Sequence, residues 1–156
     1  VTQLSPHFSL AELTHSDTAT RLGLDNTPND AQTLNLSELA TTVLEPARNA
    51  CRVPLTVNDG FRGPAVNKEV GGVQHSAHQD GRAADVVPEG ISLQEGFDRI
   101  RADTSIPFDQ CILESGCIHL ASAAHGETPR RQALIRHGTM GTWTYTVAPA
   151  LPVVAA

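Results

Sequence analysis

Between Gln74 and Val87 the chain reads Gln-His-Ser-Ala-His-Gln-Asp-Gly-Arg-Ala-Ala-Asp-Val-Val, and two of its side chains, His78 and Asp85, could share a cation. The stretch opens as a polar loop and closes as a short apolar strand. From Arg82 to Val87 the residue types alternate as in a strand, so Ala83, Asp85 and Val87 share one face. A carboxylate among such small apolar neighbours is costly unless a cation or hydrogen bonds compensate it. Gly81 allows the loop to fold back and carry the His78 ring towards Asp85. An imidazole and a hard oxygen ligand converging in this way suit a divalent metal such as zinc. Taken alone, such a pair is more often a surface histidine near a capping or salt-bridged aspartate, and a third ligand is needed to decide.

The third candidate is His119. In Phe108-Asp-Gln-Cys-Ile-Leu-Glu-Ser-Gly-Cys-Ile-His-Leu-Ala, two apolar segments flank a Ser-Gly turn signal, which predicts an antiparallel pair of strands. In the second strand Cys117, His119 and Ala121 share a face, while Ile118 and Leu120 point the other way. Glu114 stands at the turn just before. Two histidines, an aspartate and a nearby glutamate are the components of an open catalytic zinc site. Cys117 lies on the His119 face and could in principle add a fourth ligand, which would close the site and abolish catalysis.

The remaining elements must position these groups. Ser9-Leu-Ala-Glu12 fits a capping box, with Phe8 as its staple. Asp25 to Asp30 reads as a loop. Ala31, Leu34, Leu39, Val43, Leu44, Ala47 and Ala50 then recur at helical spacing, predicting an amphipathic helix of about five turns that Pro46 kinks or breaks. Val53 to Asn58 is an expected strand. Pro64 suits the first turn of a helix running to Val70, which Gly71-Gly72 stops. Ser92-Leu-Gln-Glu95 opens another helix, with Leu93, Phe97 and Ile100 inward. Gln132–Arg136 and Thr142–Val147 read as two strands around a glycine-flanked turn.

The pattern Ser76-x-His78-x-x-Gly81-x-Ala83-x-Asp85, followed by Phe108-Asp109-Gln110, Glu114 and Ile118-His119, resembles the zinc D-alanyl-D-alanine peptidases. These comprise carboxypeptidases, dipeptidases and the L-alanyl-D-glutamate endolysins of phages, and share a fold with the hedgehog signalling domain. The resemblance runs from about Phe8 to about Arg136, and the compact phage and prophage endolysins are the most similar subgroup. It implies an α+β fold: a single compact domain, with a mainly antiparallel sheet and helices packed on one side. It implies Zn2+ held by His78, Asp85 and His119, with Arg62 near the substrate to stabilise the oxyanion and Ser76 close by as a substrate contact. Arg62 could instead pair with Asp59, and Ser76 could instead cap the loop backbone. Glu114 is the expected general base. Several relatives carry the base three residues before the final histidine, where this chain has Gly116, so Glu127 and His125 stand as alternatives. Relatives carry Trp where this chain has Cys117.

Composition narrows the function further. At 156 residues, 40% hydrophobic and 18% charged, the chain fits one globular domain with a single core. We expect the peptidase domain over residues 1–148 and a loose Pro/Ala-rich tail over 149–156. A net charge of −6 argues against nucleic acid as a partner, and no apolar run reaches membrane-spanning length. No export signal is expected from the first residues, and a monomer is expected. The resemblance implies a peptidoglycan peptide as substrate, cut in the stem or cross-link. It implies action at the bacterial wall, in the periplasm, after holin-mediated release or delivery within a phage particle. A D-Ala-D-Ala carboxypeptidase or dipeptidase, or a non-catalytic zinc-stabilised wall-binding domain, are the alternatives. Three cysteines do not suggest a disulfide framework, although Cys111 and Cys117 could face each other across the strand pair.

Overall fold

A computed structural model describes residues 2–151, so the last five residues of the expected tail lie outside the described residues. Two short helices come first, α1 (Leu10–Thr14) and α2 (Asp17–Leu22), capped by the hydroxyls of Ser9 and Ser16. The second has no counterpart in the sequence reading, because six residues carry too little periodicity to register. The expected long helix is present but not uniform: α3 (Asp30–Leu39), a π-helical turn (Ala40–Leu44) and α4 (Glu45–Cys51) run on without a break. Pro46 explains the turn. Its ring would crowd the carbonyl four residues back, and widening the preceding turn relieves that, with the Glu45 N–H reaching Ala40 O. Leu34, expected in the apolar stripe, is exposed, and Leu36 is buried in its place. Five residues separate Leu34 from Leu39, which puts them about 140° apart on a regular helix, and the π turn that could absorb a fifth residue comes later.

The sheet has six strands: β1 (Leu55–Asp59), β2 (Ala83–Pro88), β3 (Phe108–Leu113), β4 (Ile118–Ser122), β5 (Gln132–His137) and β6 (Thr144–Val147). Their spatial order is β1-β2-β4-β3-β5-β6, antiparallel throughout except for the β3–β5 pair. Helix α5 (Pro64–Glu69) follows β1, with Pro64 in its first turn, and α6 (Leu93–Ala102) crosses from β2 to β3. The α+β expectation holds: a mainly antiparallel sheet with helices against one face. That face carries Leu55, Ala84, Val86, Cys111, Ile118 and Leu120, packed with Leu36, Val43, Leu44, Phe97 and Ile100 of the helices. Each fully buried large side chain there contributes roughly 1.5–3 kcal/mol.

The opposite face is where the polar residues gather, and two irregularities decide which ones. Strict alternation would put Val57 and Asp59 on the same face. A bulge between them instead pairs Val57 with Val86, on the core side, and Asp59 with Asp85. A second bulge between Phe108 and Gln110 keeps Phe108 in the core and turns Gln110 to the other side. Sequence periodicity cannot reveal either shift.

Candidate metal centre

Asp85 on β2 and His119 on β4 are directly opposite one another in register, so their side chains rise side by side from the polar face. His78 reaches them from the loop between α5 and β2. A ladder of tight turns shapes that loop, with Gln79 N–H to Ser76 O, Gly81 N–H to His78 O and Arg82 N–H to Ala77 O. Gly81 is left-handed at φ +70°, and a Cβ there would lie 2.6 Å from Gln32 O, so the turn admits only glycine comfortably. Two side chains of α3 hold the loop from outside: Gln32 Nε2 donates to Gln79 O and Asn35 Nδ2 to Asp80 O, each at 2.8 Å. The Ser76 hydroxyl accepts from the His78 N–H at 3.3 Å, the loop-capping role, while the residue also lines the cleft.

The ligand atoms of His78, Asp85 and His119 all lie within 4.8 Å of one another. His119 Nδ1 is 2.8 Å from Asp85 Oδ1 and 3.2 Å from His78 Nε2, and His78 Nε2 is 3.4 Å from Asp85 Oδ1. A tetrahedral cation with bonds of about 2.0–2.1 Å requires ligand atoms about 3.3 Å apart, so the two His78 separations fit one, and the 2.8 Å His119–Asp85 contact would open by about half an ångström to admit it. The tautomer of His78 fits as well. Its Nδ1–H donates to the Gly60 carbonyl at 2.7 Å, which frees Nε2 as a lone-pair donor. Gly60 in turn sits against α1, where a Cβ would overlap the Leu13 carbonyl, and the Phe61 N–H bonds that same carbonyl at 2.7 Å.

Arg62 braces the group from behind. Its Nε donates to Asp59 Oδ2 at 2.6 Å and its Nη2 to Asp85 Oδ2 at 3.0 Å, and its backbone N–H donates to His78 O at 3.1 Å. The expected alternative, a pairing with Asp59, is therefore real, but the arginine side chain is only 13% exposed and also grips Asp85. Burial by itself would push the Asp85 carboxyl up; the neighbouring His78 and His119 outweigh it and hold it well below the usual carboxylate range. Asp59 goes the other way, because burial outweighs the lowering by Arg62 and His78.

Glu114 lies at the end of β3 and lines the same cleft. Burial, then the Asp85 charge, raises its pKa, against the pull of Arg136, whose Nη2 is 2.6 Å from Glu114 Oε2. The Cys117 thiol points to that same oxygen at 3.6 Å. Cys117 does not join the group of converging ligand atoms, and burial together with the Asp85 and Glu114 charges pushes its thiol up. The fourth-ligand alternative thus falls. So does a Cys111–Cys117 disulfide: all three cysteines are free, and Cys111 is buried in the core opposite Leu120. His125 and Glu127, the alternative bases, are exposed on the loop after β4 and neither lines the cleft.

The cleft encloses about 560 Å³. Its far wall comes from the β5–β6 hairpin, through Arg136, Met140, Trp143 and Tyr145, to which the sequence reading assigned no role. One signal was available: the single Trp and the single Tyr of the chain stand two residues apart in the expected strand Thr142–Val147.

An open group of two histidines and a carboxylate, lining a cleft on the polar face of the sheet, is one that could hold a divalent metal ion. Over residues 6–121 the sequence matches the model of the family described as Peptidase M15. The chain belongs to that family, which makes it a metallopeptidase and agrees with the resemblance to the D-Ala-D-Ala peptidases. Among curated proteins, none matches the chain.

Proposed function

We propose that this protein is a zinc peptidase that hydrolyses peptide bonds of bacterial peptidoglycan, in the stem peptide or cross-link, in the manner of a phage or prophage endolysin acting at the wall. The observation that carries the reading is the His78, Asp85 and His119 triad, its ligand atoms 2.8 to 3.4 Å apart, with the Glu114 carboxylate lining the same open cleft. Those three residues would hold Zn2+, which when bound makes a water nucleophilic near neutral pH and polarises the substrate carbonyl. Glu114 accepts the proton of the attacking water and returns it to the leaving amine. Its raised pKa suits both halves of that task, since a base poised nearer neutrality also serves as an acid. Asp59 and Arg62 hold Asp85 in a fixed orientation, and the Gly60 carbonyl does the same for His78. Arg62 Nη1 is the guanidinium nitrogen left for a substrate carbonyl oxygen.

The test is digestion of purified peptidoglycan with and without a chelator, followed by mass spectrometry of the released peptides. New amine ends that disappear with chelator and return with zinc support the peptidase. Their masses separate an endopeptidase from a D-Ala-D-Ala carboxypeptidase or dipeptidase. Wall binding without new ends would leave only the non-catalytic binding domain.

A further inference from the structure

Four of the seven large hydrophobic side chains exposed among the described residues, Val73, Met140, Trp143 and Tyr145, line the one cleft. Chance exposure would scatter them over the surface. Val73 belongs to the loop after α5. The other three belong to the β5–β6 hairpin, which lies beyond the part of the chain that matches the family model.

The hairpin is tied to the reacting end of the cleft through a chain of contacts. Arg136 stands opposite Tyr145 in the β5–β6 register. Its guanidinium carbon lies 4.1 Å from the centroid of the Trp143 ring, and its Nη2 lies 2.6 Å from Glu114 Oε2. A planar cation is thus shared between an aromatic face and the carboxylate assigned as base. Lysine would pair with the carboxylate but hold the ring less well, because an ammonium has neither the flat face nor the fork. Trp143 keeps 37% of its surface open, in the cleft. Its position is therefore held by the arginine while part of it remains free for a ligand.

We propose that Trp143 is a substrate-binding residue, an aromatic platform on which the peptide chain lies beside the bond to be cut, and that Arg136 is the positioning residue that fixes both Trp143 and Glu114. This rests on the peptidase reading and extends it. The ligand class is an extended peptide, whose amide planes and methyl groups pack on an indole face. Cys117 contributes to the same arrangement: a small side chain there leaves the space in which Glu114 meets Arg136.

Trp143 is the only tryptophan in the chain, so its emission reports on the cleft alone. The experiment titrates soluble muropeptides, prepared from peptidoglycan by glycosidase digestion, into zinc-loaded Glu114→Gln protein and follows tryptophan fluorescence. Steady-state kinetics on the same material are measured for wild type, Trp143→Ala, Trp143→Phe, Arg136→Lys and Arg136→Ala. We expect a saturable change in emission. Trp143→Ala should raise KM about tenfold, with kcat falling far less, and Trp143→Phe should recover most of the loss. Arg136→Lys should raise KM similarly while holding kcat, since the charge beside Glu114 survives but the flat stack does not; Arg136→Ala should lower kcat as well. A wild type that cleaves the muropeptides, with static emission and an unchanged KM in Trp143→Ala, overturns the platform and leaves the peptidase reading standing. An emission change without any cleavage upholds the platform and removes the peptidase reading. Neither emission change nor cleavage overturns both.

Discussion

Replacing Arg62 by alanine separates two roles that the sequence left together, a clamp on substrate and a brace on Asp85. The guanidinium bridges Asp59 and Asp85, which face each other in the β1–β2 register, and both are largely withdrawn from water. Removing the cation leaves two close carboxylates without it. Breaking a buried ion pair by deleting one partner costs about 3–5 kcal/mol. Asp59, whose pKa is already raised, can take up a proton and relieve part of that, so the lower end, about 3 kcal/mol, is expected. Loss of a group that orients a ligand lowers metal affinity about 10–100-fold. Arg62→Lys should recover little of either, because one ammonium cannot reach both Oδ2 atoms in the bidentate manner of the fork. The assays are a denaturant melt of chelated protein and a zinc titration against a chromophoric chelator. An Arg62→Ala protein with wild-type unfolding and wild-type zinc affinity, impaired only in KM, would refute the bracing argument and leave only the substrate contact.

Three further outcomes follow from the same geometry. Glu114→Gln should retain zinc yet lose about 10²–10⁴-fold in kcat, whereas His78→Ala should lose the zinc itself, both read by metal analysis beside peptide release. Gly60→Ala should destabilise the fold by about 1–3 kcal/mol, because the new methyl group overlaps the Leu13 carbonyl, and a lowered denaturant midpoint at unchanged slope would show it. Asp109 is held below the usual Asp value by hydrogen bonds from Arg130, its Nε at 3.0 Å from Oδ1. A depressed carboxylate contributes stability that is complete above its unfolded pKa and lost as pH falls through its folded one. Asp109→Asn should therefore flatten the acid limb of the stability profile while changing little near pH 2, and equal losses at all pH would show that the pair is not what titrates.

Local chemistry made much of this protein legible before any coordinates. The serine caps at Ser9 and Ser92, Pro64 opening α5, and the apolar alternation of β2 and β4 depend on neighbours a few residues away, and all appear where the sequence puts them. The spacing of His78, Asp85 and His119 was also readable, because strand alternation dictates which way each of the last two points. Tertiary structure decided the rest. Bulges in β1 and β3 chose Asp59 and Gln110 for the polar face, a π turn absorbed Pro46, and α3 supplied Gln32 and Asn35 to hold a loop more than forty residues away. The Glu114–Arg136–Trp143 contact joins three points of the chain that no periodicity links, and the Cys117 thiol lies against its Glu114 end. The physical reason is the same in each case: alternation and capping act over one turn or one strand, whereas register, bulges and strand order are settled by which long-range pairing buries the most apolar surface while leaving the fewest buried polar groups without a partner.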